Sequence, residues 1–372
     1  MRSIPAGFVP NRFTKLAFIA LITIYLGACA TPPPPKDAAP IPFPKPPDQA
    51  RFYYERTIMS TGSVQRMTNN ERLKSLLTGA VGRDGIAFAK PFDVVVHQGR
   101  VFVSDTVQRV VFALDFVSGE AFQIGDRGDE GDLEKPLGLA VDRQGNLYVC
   151  DNQSNKVNVY TRDGAWRYSI ELKNHMSRPS GIDVSEDGAR VYIVDVGGVD
   201  SDKHRISIFD TASRAHIRTI GMRGTQLGEF NLPRDVAVSS DGLLYVTDGG
   251  NFRVQIFDRD GNPIRSWGAP GRHLGEFTRP KGIAAGPDGN LYVVDAAFGN
   301  FQIFNPQGEL LLYIGSRSEL PGPARFMLPS GIDVDEDGRV YMLDQFFRKL
   351  DVFRPASLAE NEGYLGAAAD RR

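Results

Sequence analysis

The sequence predicts an all-β chain in which one unit of four short strands is written six times around a ring. Three observations carry this. A proline recurs at Pro91, Pro136, Pro179, Pro233, Pro280 and Pro329, at spacings of 45, 43, 54, 47 and 49 residues. An aspartate follows each proline by 14–16 residues, at Asp105, Asp151, Asp195, Asp248, Asp295 and Asp344. Between them every copy carries a turn glycine: Gly99, Gly145, Gly188, Gly242, Gly289 and Gly338. Repeats of roughly 40–50 residues with four strands each are the blades of a β-propeller rather than a helical solenoid. The expected architecture is a six-bladed ring of four-stranded antiparallel blades.

The clearest copy runs from Gly224 to Trp267. Its runs DVAV, LLYVTD, VQIFD and PIRSW are β-branched or aromatic and are bounded by Gly, Asp or Asn. Asp241-Gly242 and Asp260-Gly261 supply residues that tolerate φ > 0, as tight hairpins require. The motif GEF-x-x-P-x-[DG]-[VI]-A-[VA], followed by D-G-x-[LI]-Y-V-[TV]-D, resembles the NHL repeat, with its best copies at 227–257 and 274–304. Over residues 51–355 the chain resembles the six-bladed NHL-type propeller lipoproteins of bacterial envelopes. That resemblance implies the fold but no single activity, since such propellers include binding modules and metal-assisted lyases and hydrolases.

Ahead of the ring, residues 1–28 read as a secretory signal: Arg2, Arg12 and Lys15 precede an apolar run from Leu16 to Leu26. The ending Leu26-Gly27-Ala28-Cys29 resembles a lipobox, which implies that Cys29 is the first mature residue and carries the lipid; the alternative is an ordinary signal peptide with an incidental cysteine. Ala30 follows with no aspartate for inner-membrane retention, so the expected address is the outer membrane, facing the periplasm. Residues 29–50 hold nine prolines and read as a linker, reaching up to roughly 65 Å at ~3.1 Å per residue.

Within 51–90, RFYYERTI at 51–58 reads as a strand that closes the ring, because the sixth copy runs into RPASLAENEG and lacks a fourth strand. Gly363-Tyr364-Leu365-Gly366 is the competing candidate. Thr68-Asn69-Asn70-Glu71 has capping-box spacing and predicts one short N-terminal helix over about 69–78. The propeller itself spans 91–355, and 356–372 reads as a disordered tail.

Loss of the signal's three cations takes the net charge from −2 to −5, with both signs evenly mixed. No basic patch for nucleic acid follows from this composition. Cys150 has no disulfide partner once Cys29 is lipidated, and reads as a small core residue. The expectation is a monomer.

Hairpins between the second and third strands share a face with the blade-to-blade connections, where propellers bind. In blades 4–6 they carry Phe252, Phe298, Phe346 and Phe347, with Arg253 and Arg348 alongside. These six residues are the candidate partner-binding set, for an envelope protein, peptide or glycan; alternatively the rings fold over the blade tops. Each strand-end Asp with a base four or five residues on reads as a charge pair across its hairpin. Blade 3 has a five-residue insertion within VGGVDSDKHR, holding Asp200, Asp202 and His204, which reads as a solvated acidic loop or a loose cation site.

Catalysis would have to reside in the central channel. Asp93 and Asp235 stand two residues after their prolines, and Asp183 and Asp333 four after theirs, in opposite blades. These four could hold a calcium-like cation, or could bond to backbone N–H groups at the inner strands. No histidine falls on an inner strand, His97 being assigned to the turn after one, and no nucleophile triad or phosphate loop recurs. The reading is a non-catalytic scaffold without a cofactor; the alternative is a metal-dependent lyase or lactone hydrolase.

Overall fold

Each repeat opens on proline because the chain enters the innermost strand there, where no ladder donor is needed. In the computed structural model, which describes residues 40–64 and 85–370, the inner strands are Pro91–His97, Pro136–Val141, Pro179–Val184, Pro233–Val238, Pro280–Ala285 and Pro329–Val334. Every opening proline pairs with the strand-end aspartate of the next strand, as Pro233 does with Asp248. In all six blades the register shifts just after the proline, so the one or two residues following it leave the ladder. Such bulges re-aim side chains.

Five sheets are four-stranded and antiparallel, and the chain is a six-bladed β-propeller. The sixth sheet is closed by Phe52–Ile58, which pairs with Lys349–Pro355. Gly363-Tyr364-Leu365-Gly366, the competing candidate for that edge, instead begins a short helix, Gly363–Asp370. The last blade therefore joins two distant segments of the chain, so that the outer side of Lys349–Pro355 is paired rather than left open.

The core lies between adjacent blades. Val111, Leu139, Val149 and Tyr160, for example, form one apolar cluster across blades 1 and 2. The GEF motif has a direct role in two connections. Gly228 (φ 87°) and Gly275 (φ 86°) turn the chain so that Phe230 and Phe277 are fully buried. Gln255 accepts the Gly228 N–H at 2.9 Å and donates to the Glu229 carbonyl at 2.7 Å, and Gln302 does the same for Gly275 and Glu276 at 2.8 and 3.0 Å.

Closure of the ring is polar as well as apolar. Arg339 is fully buried and donates to Glu55 of the closing strand at 2.8 Å, to Asp337 at 3.1 Å and to the Glu362 carbonyl at 2.8 Å. Lys349 donates to Asp351 at 2.5 Å and to the Gly322 carbonyl at 2.7 Å, while Thr57 donates to the other Asp351 oxygen at 2.6 Å.

Two sequence expectations need correction. The proline-rich linker ends sooner than residue 50, because Pro42–Phe43 pairs with Phe52–Tyr53 as a fifth strand and the Phe43 ring packs edge-on against Phe353. The tail is ordered over Gly363–Asp370, a helix whose Leu365 is fully buried in the cluster holding Ile58 and Leu114. Tyr364 packs against the same cluster, so two adjacent apolar side chains at the start of an alanine-rich run dock it. Cys29, the signal peptide and the helix expected at 69–78 lie outside the described residues.

Candidate functional site

The six strand-end aspartates are architectural. All are fully buried, and each accepts backbone N–H groups from the connection that enters its own blade. Asp105 takes those of Ala89 and Lys90 at 2.7 and 2.9 Å, and Asp344 those of Met327 and Leu328 at 2.8 and 2.9 Å. The other oxygen caps the following hairpin, as when Asp344 accepts the Phe347 N–H at 2.8 Å. The expected charge pair forms between Asp248 and Arg253 at 2.9 Å, and Asp195 pairs with Arg205 at 3.3 Å. Among the described residues Asp105, Asp151 and Asp344 have no such partner: Arg109 (φ 61°) and Arg348 (φ 54°) sit at the hairpin tip, one residue short of the ladder, and Lys156 pairs with Glu171 instead.

The channel aspartates also serve the backbone, and they reach from one blade to the next. Asp93 accepts from Leu139 at 3.0 Å, Asp183 from Val238 at 2.6 Å, Asp235 from Ile283 at 3.1 Å and Asp333 from Val96 at 2.7 Å. Burial pushes Asp93 and Asp183 up to about 7 and raises Asp235 and Asp333 well above the carboxylate range; the Asp93 charge adds to the rise at Asp235. Among the described residues no three His, Cys, Asp or Glu side chains gather as a metal-binding group. Each of the four thus spans one seam, and they line the channel in pairs: Asp93 and Asp235 share one cavity, Asp183 and Asp333 another.

His97 ends the inner strand of blade 1 instead of lying in the turn after it, and its Nδ1 is 3.2 Å from Glu336. This end of the channel is acidic, with a cavity of about 380 Å³ lined by Asp142, Glu186, Asp335 and Glu336 among others. In the blade-3 insertion, both His204 nitrogens are occupied: Nε2 donates to the Gly198 carbonyl at 2.9 Å and Nδ1 accepts the Leu232 N–H at 3.2 Å. His204 is fully buried and ties the insertion to the next blade, so it has no lone pair for a cation.

The hairpin phenylalanines do not form one continuous patch. Phe252 (φ 55°) is half-buried against the cluster holding Val254 and Phe277, and Phe298 is half-buried too. Phe346 is 57% exposed and meets Phe347 edge-on, with ring centroids 5.2 Å apart. Arg253 is committed to the fold, donating to Asp248 and to the carbonyls of Gln226 and Glu229 at 2.8–2.9 Å. Arg348 is exposed and, among the described residues, makes no ion pair. Three of the six residues, Phe346, Phe347 and Arg348, therefore remain together on the hairpin face.

Sequence reading missed a second feature on that face. At the channel mouth a cavity of about 220 Å³ is lined by Phe92, Arg234, Arg279, Lys281, Asp93 and Asp235, with small residues between them. Phe92, Arg234 and Lys281 each follow an opening proline, and the register shift there turns them out of the ladder. The signal was available: the residues after the six prolines read Phe92, Leu137, Ser180, Arg234, Lys281, Ser330, with cations in two adjacent blades.

A family model described as NHL repeat matches residues 230–257. The chain is 37% identical over 76 residues to NHL repeat-containing protein 3 of Homo sapiens, covering 20% of this chain and 21% of that protein. It is 23% identical over 137 residues to protein brain tumor of Drosophila melanogaster, covering 36% and 12%. The chain thus spans about a fifth or less of the curated relatives it matches. Among solved structures it is similar to virginiamycin B lyase of Staphylococcus aureus (TM-score 0.52, 15% identity, 71% and 94% of the two chains). It is also similar to a gluconolactonase of Xanthomonas campestris (0.53, 16%, 86% and 98%) and to an auxiliary nutrient binding protein of Bacteroides thetaiotaomicron (0.55, 13%, 72% and 69%). At such identities these likenesses show the fold alone, and the fold with its motif is that of a six-bladed β-propeller carrying the NHL repeat.

Proposed function

We propose that this chain is a non-catalytic binding propeller of the cell envelope, anchored in the outer membrane by lipid on Cys29, whose hairpin face receives a protein, peptide or glycan partner. The observation that carries the reading is the Phe346–Phe347 pair. An exposed aromatic ring at a hairpin tip costs solvation, and this tip is held rigid by Asp344, so the ring is presented without loss of conformational freedom on binding. Arg348 adds an unpaired cation beside it. The envelope address rests on the LGAC sequence and the positively charged, apolar segment before it.

The test places a photo-crosslinking residue at position 346 of the full-length chain in cells, with position 241 on the opposite face as control. The expected result is one envelope species crosslinked from 346 and none from 241. Phe346→Ser with Phe347→Ser should abolish co-purification of that species while the melting temperature barely moves. A wild-type chain that crosslinks nothing from 346 overturns the reading.

A further inference from the structure

The geometry points to the channel mouth as a binding site for a small organic oxyanion, a carboxylate or phosphate carrying an apolar group. This goes beyond the partner reading and uses different residues, so either can fail alone.

The first support is a set of cations without counterions. Arg234, Arg279 and Lys281 line the cavity, and the Arg234 guanidinium is lowered by partial burial, then by the charges of Arg279 and Arg178. Among the described residues none of the four side chains makes an ion pair or a hydrogen bond. Arg178, Arg234 and Arg279 are exposed at the mouth and Lys281 is half-buried, whereas the buried cations Arg100, Arg339 and Lys349 pair with Asp115, Glu55 and Asp351. Burial, then the charges of Arg279 and Arg234, bring Lys281 down to about 8. Like charges gathered in a recess raise the energy of the empty state, and a bound oxyanion relieves it.

The second is the orientation of the neighbouring carboxyls. Asp93 and Asp235 share the cavity wall, yet neither forms an ion pair with these cations, because their oxygens accept backbone N–H groups of Leu139 and Ile283. The cations are left facing the open space.

The third is a broken symmetry. Two residues after the prolines the blades read Asp93, Gly138, Gly181 and then Asp235, Gly282, Gly331, so blades 1–3 repeat in blades 4–6. One residue after the prolines this repeat fails: blades 1 and 2 carry Phe92 and Leu137 where blades 4 and 5 carry Arg234 and Lys281. Phe92 thus faces the cationic wall from the opposite blade. Such a cavity takes a molecule with charge at one end and an apolar group at the other. At about 220 Å³ it falls below the roughly 300–1,000 Å³ of drug-sized sites, which limits the ligand to a small molecule or the end of a larger one.

Calorimetry on the full chain at low salt tests this with inorganic phosphate, phenyl phosphate, benzoate, and a phenylalanine-ended dipeptide with a free or amidated terminus. Phenyl phosphate should bind more tightly than inorganic phosphate. Phe92→Ala should remove that preference, and Arg234→Gln with Lys281→Gln should weaken binding by about tenfold or more. Arg279→Gln, an exposed single change, should weaken it in the same direction if the double variant folds poorly. Binding of the free but not the amidated peptide assigns the oxyanion to a chain end; binding of the small acids alone assigns it to a free molecule. No binding by any probe, or affinity unchanged in these variants, overturns the proposal. Phe346→Ser with Phe347→Ser should leave probe binding intact, which separates this site from the partner surface.

Discussion

The Asp93 carboxylate accepts the backbone N–H of Leu139 at 3.0 Å, so a side chain at the channel wall of blade 1 closes the seam to blade 2. Asp183, Asp235 and Asp333 close the seams 3–4, 4–5 and 6–1 in the same way. The other two seams, 2–3 and 5–6, use close backbone approach instead. A Cβ at Gly138 would lie 2.4 Å from the Ser180 carbonyl oxygen, and one at Gly282 would lie 2.4 Å from that of Ser330. Seams 3–4 and 6–1 combine both devices, since a Cβ at Gly181 or Gly331 would lie 2.4 Å from an oxygen of Asp235 or Asp93, and the arrangement is the same in the two halves of the ring.

Replacing Asp93 by alanine should leave the N–H groups of Leu139 and Val94 buried without acceptors. At about 1–3 kcal/mol for each of the two orphaned donors, the variant should lose roughly 2–6 kcal/mol. Chemical denaturation measures this directly; a loss below about 1 kcal/mol would mean that water replaces the carboxylate and that the seam does not depend on it.

Gly282→Ala should be more damaging than Gly242→Ala, although only the second glycine has a positive φ (+82°). At Gly242 nothing lies within 4 Å of the added methyl, so the cost is backbone strain of about 1–2 kcal/mol. At Gly282 the methyl meets a neighbouring blade's carbonyl, which no rotamer change relieves, and overpacking of about 1–3 kcal/mol adds blade displacement around the whole ring. Melting temperatures of the two variants give the order.

These seams explain which parts of the molecule were legible in sequence. Proline, glycine and the strand-end aspartate do the same task in every blade, so their period shows the fold, and the missing fourth strand of blade 6 shows where the chain closes. Arg253 and Arg348 look alike in sequence yet differ in register: Arg253 stands opposite Asp248, the place Lys349 takes opposite Asp344, whereas Arg348 (φ 54°) sits one residue earlier, at the hairpin tip that Phe252 (φ 55°) takes in blade 4. The mouth cations read as ordinary strand residues until the register shift after proline turned them toward the axis. The docked tail was obscured by composition, since a single buried leucine among small residues makes no periodic pattern.

Stability should fall as pH rises from about 5 to 8. Burial lifts Asp93, Asp183 and Asp335 to about 7, against an ordinary 3.8. Between those values the folded chain holds protons that the unfolded chain has released, so their contribution is full below roughly pH 4 and is lost as pH passes 7. His216, lowered by burial and by the neighbouring His175, acts in the opposite sense, as does Lys281 toward pH 8, against three carboxyls. Thermal melts across this range should slope downward, and Asp93→Asn with Asp183→Asn should flatten the slope whatever the variant's baseline. A wild-type curve that is level or rises with pH is inconsistent with buried carboxyls of this kind.

The Glu55–Arg339 pair should be the polar contact on which ring closure depends most. Arg339 is wholly buried, and its guanidinium ties the closing strand, blade 6 and the carbonyl of Glu362 ahead of the terminal helix. Glu55→Ala leaves the buried cation with Asp337 as its one remaining carboxylate partner among the described residues, and removal of one member of such a pair costs about 3–5 kcal/mol. The damage should be local first, because blade 6 is the only blade whose outer strand comes from a distant part of the chain. Hydrogen exchange should therefore show Phe52–Ile58 and Lys349–Pro355 losing protection in Glu55→Ala before the strands of blades 2–4 do. Uniform loss across all six blades would instead mean that the ring opens as one unit, with the pair contributing to global stability rather than to closure.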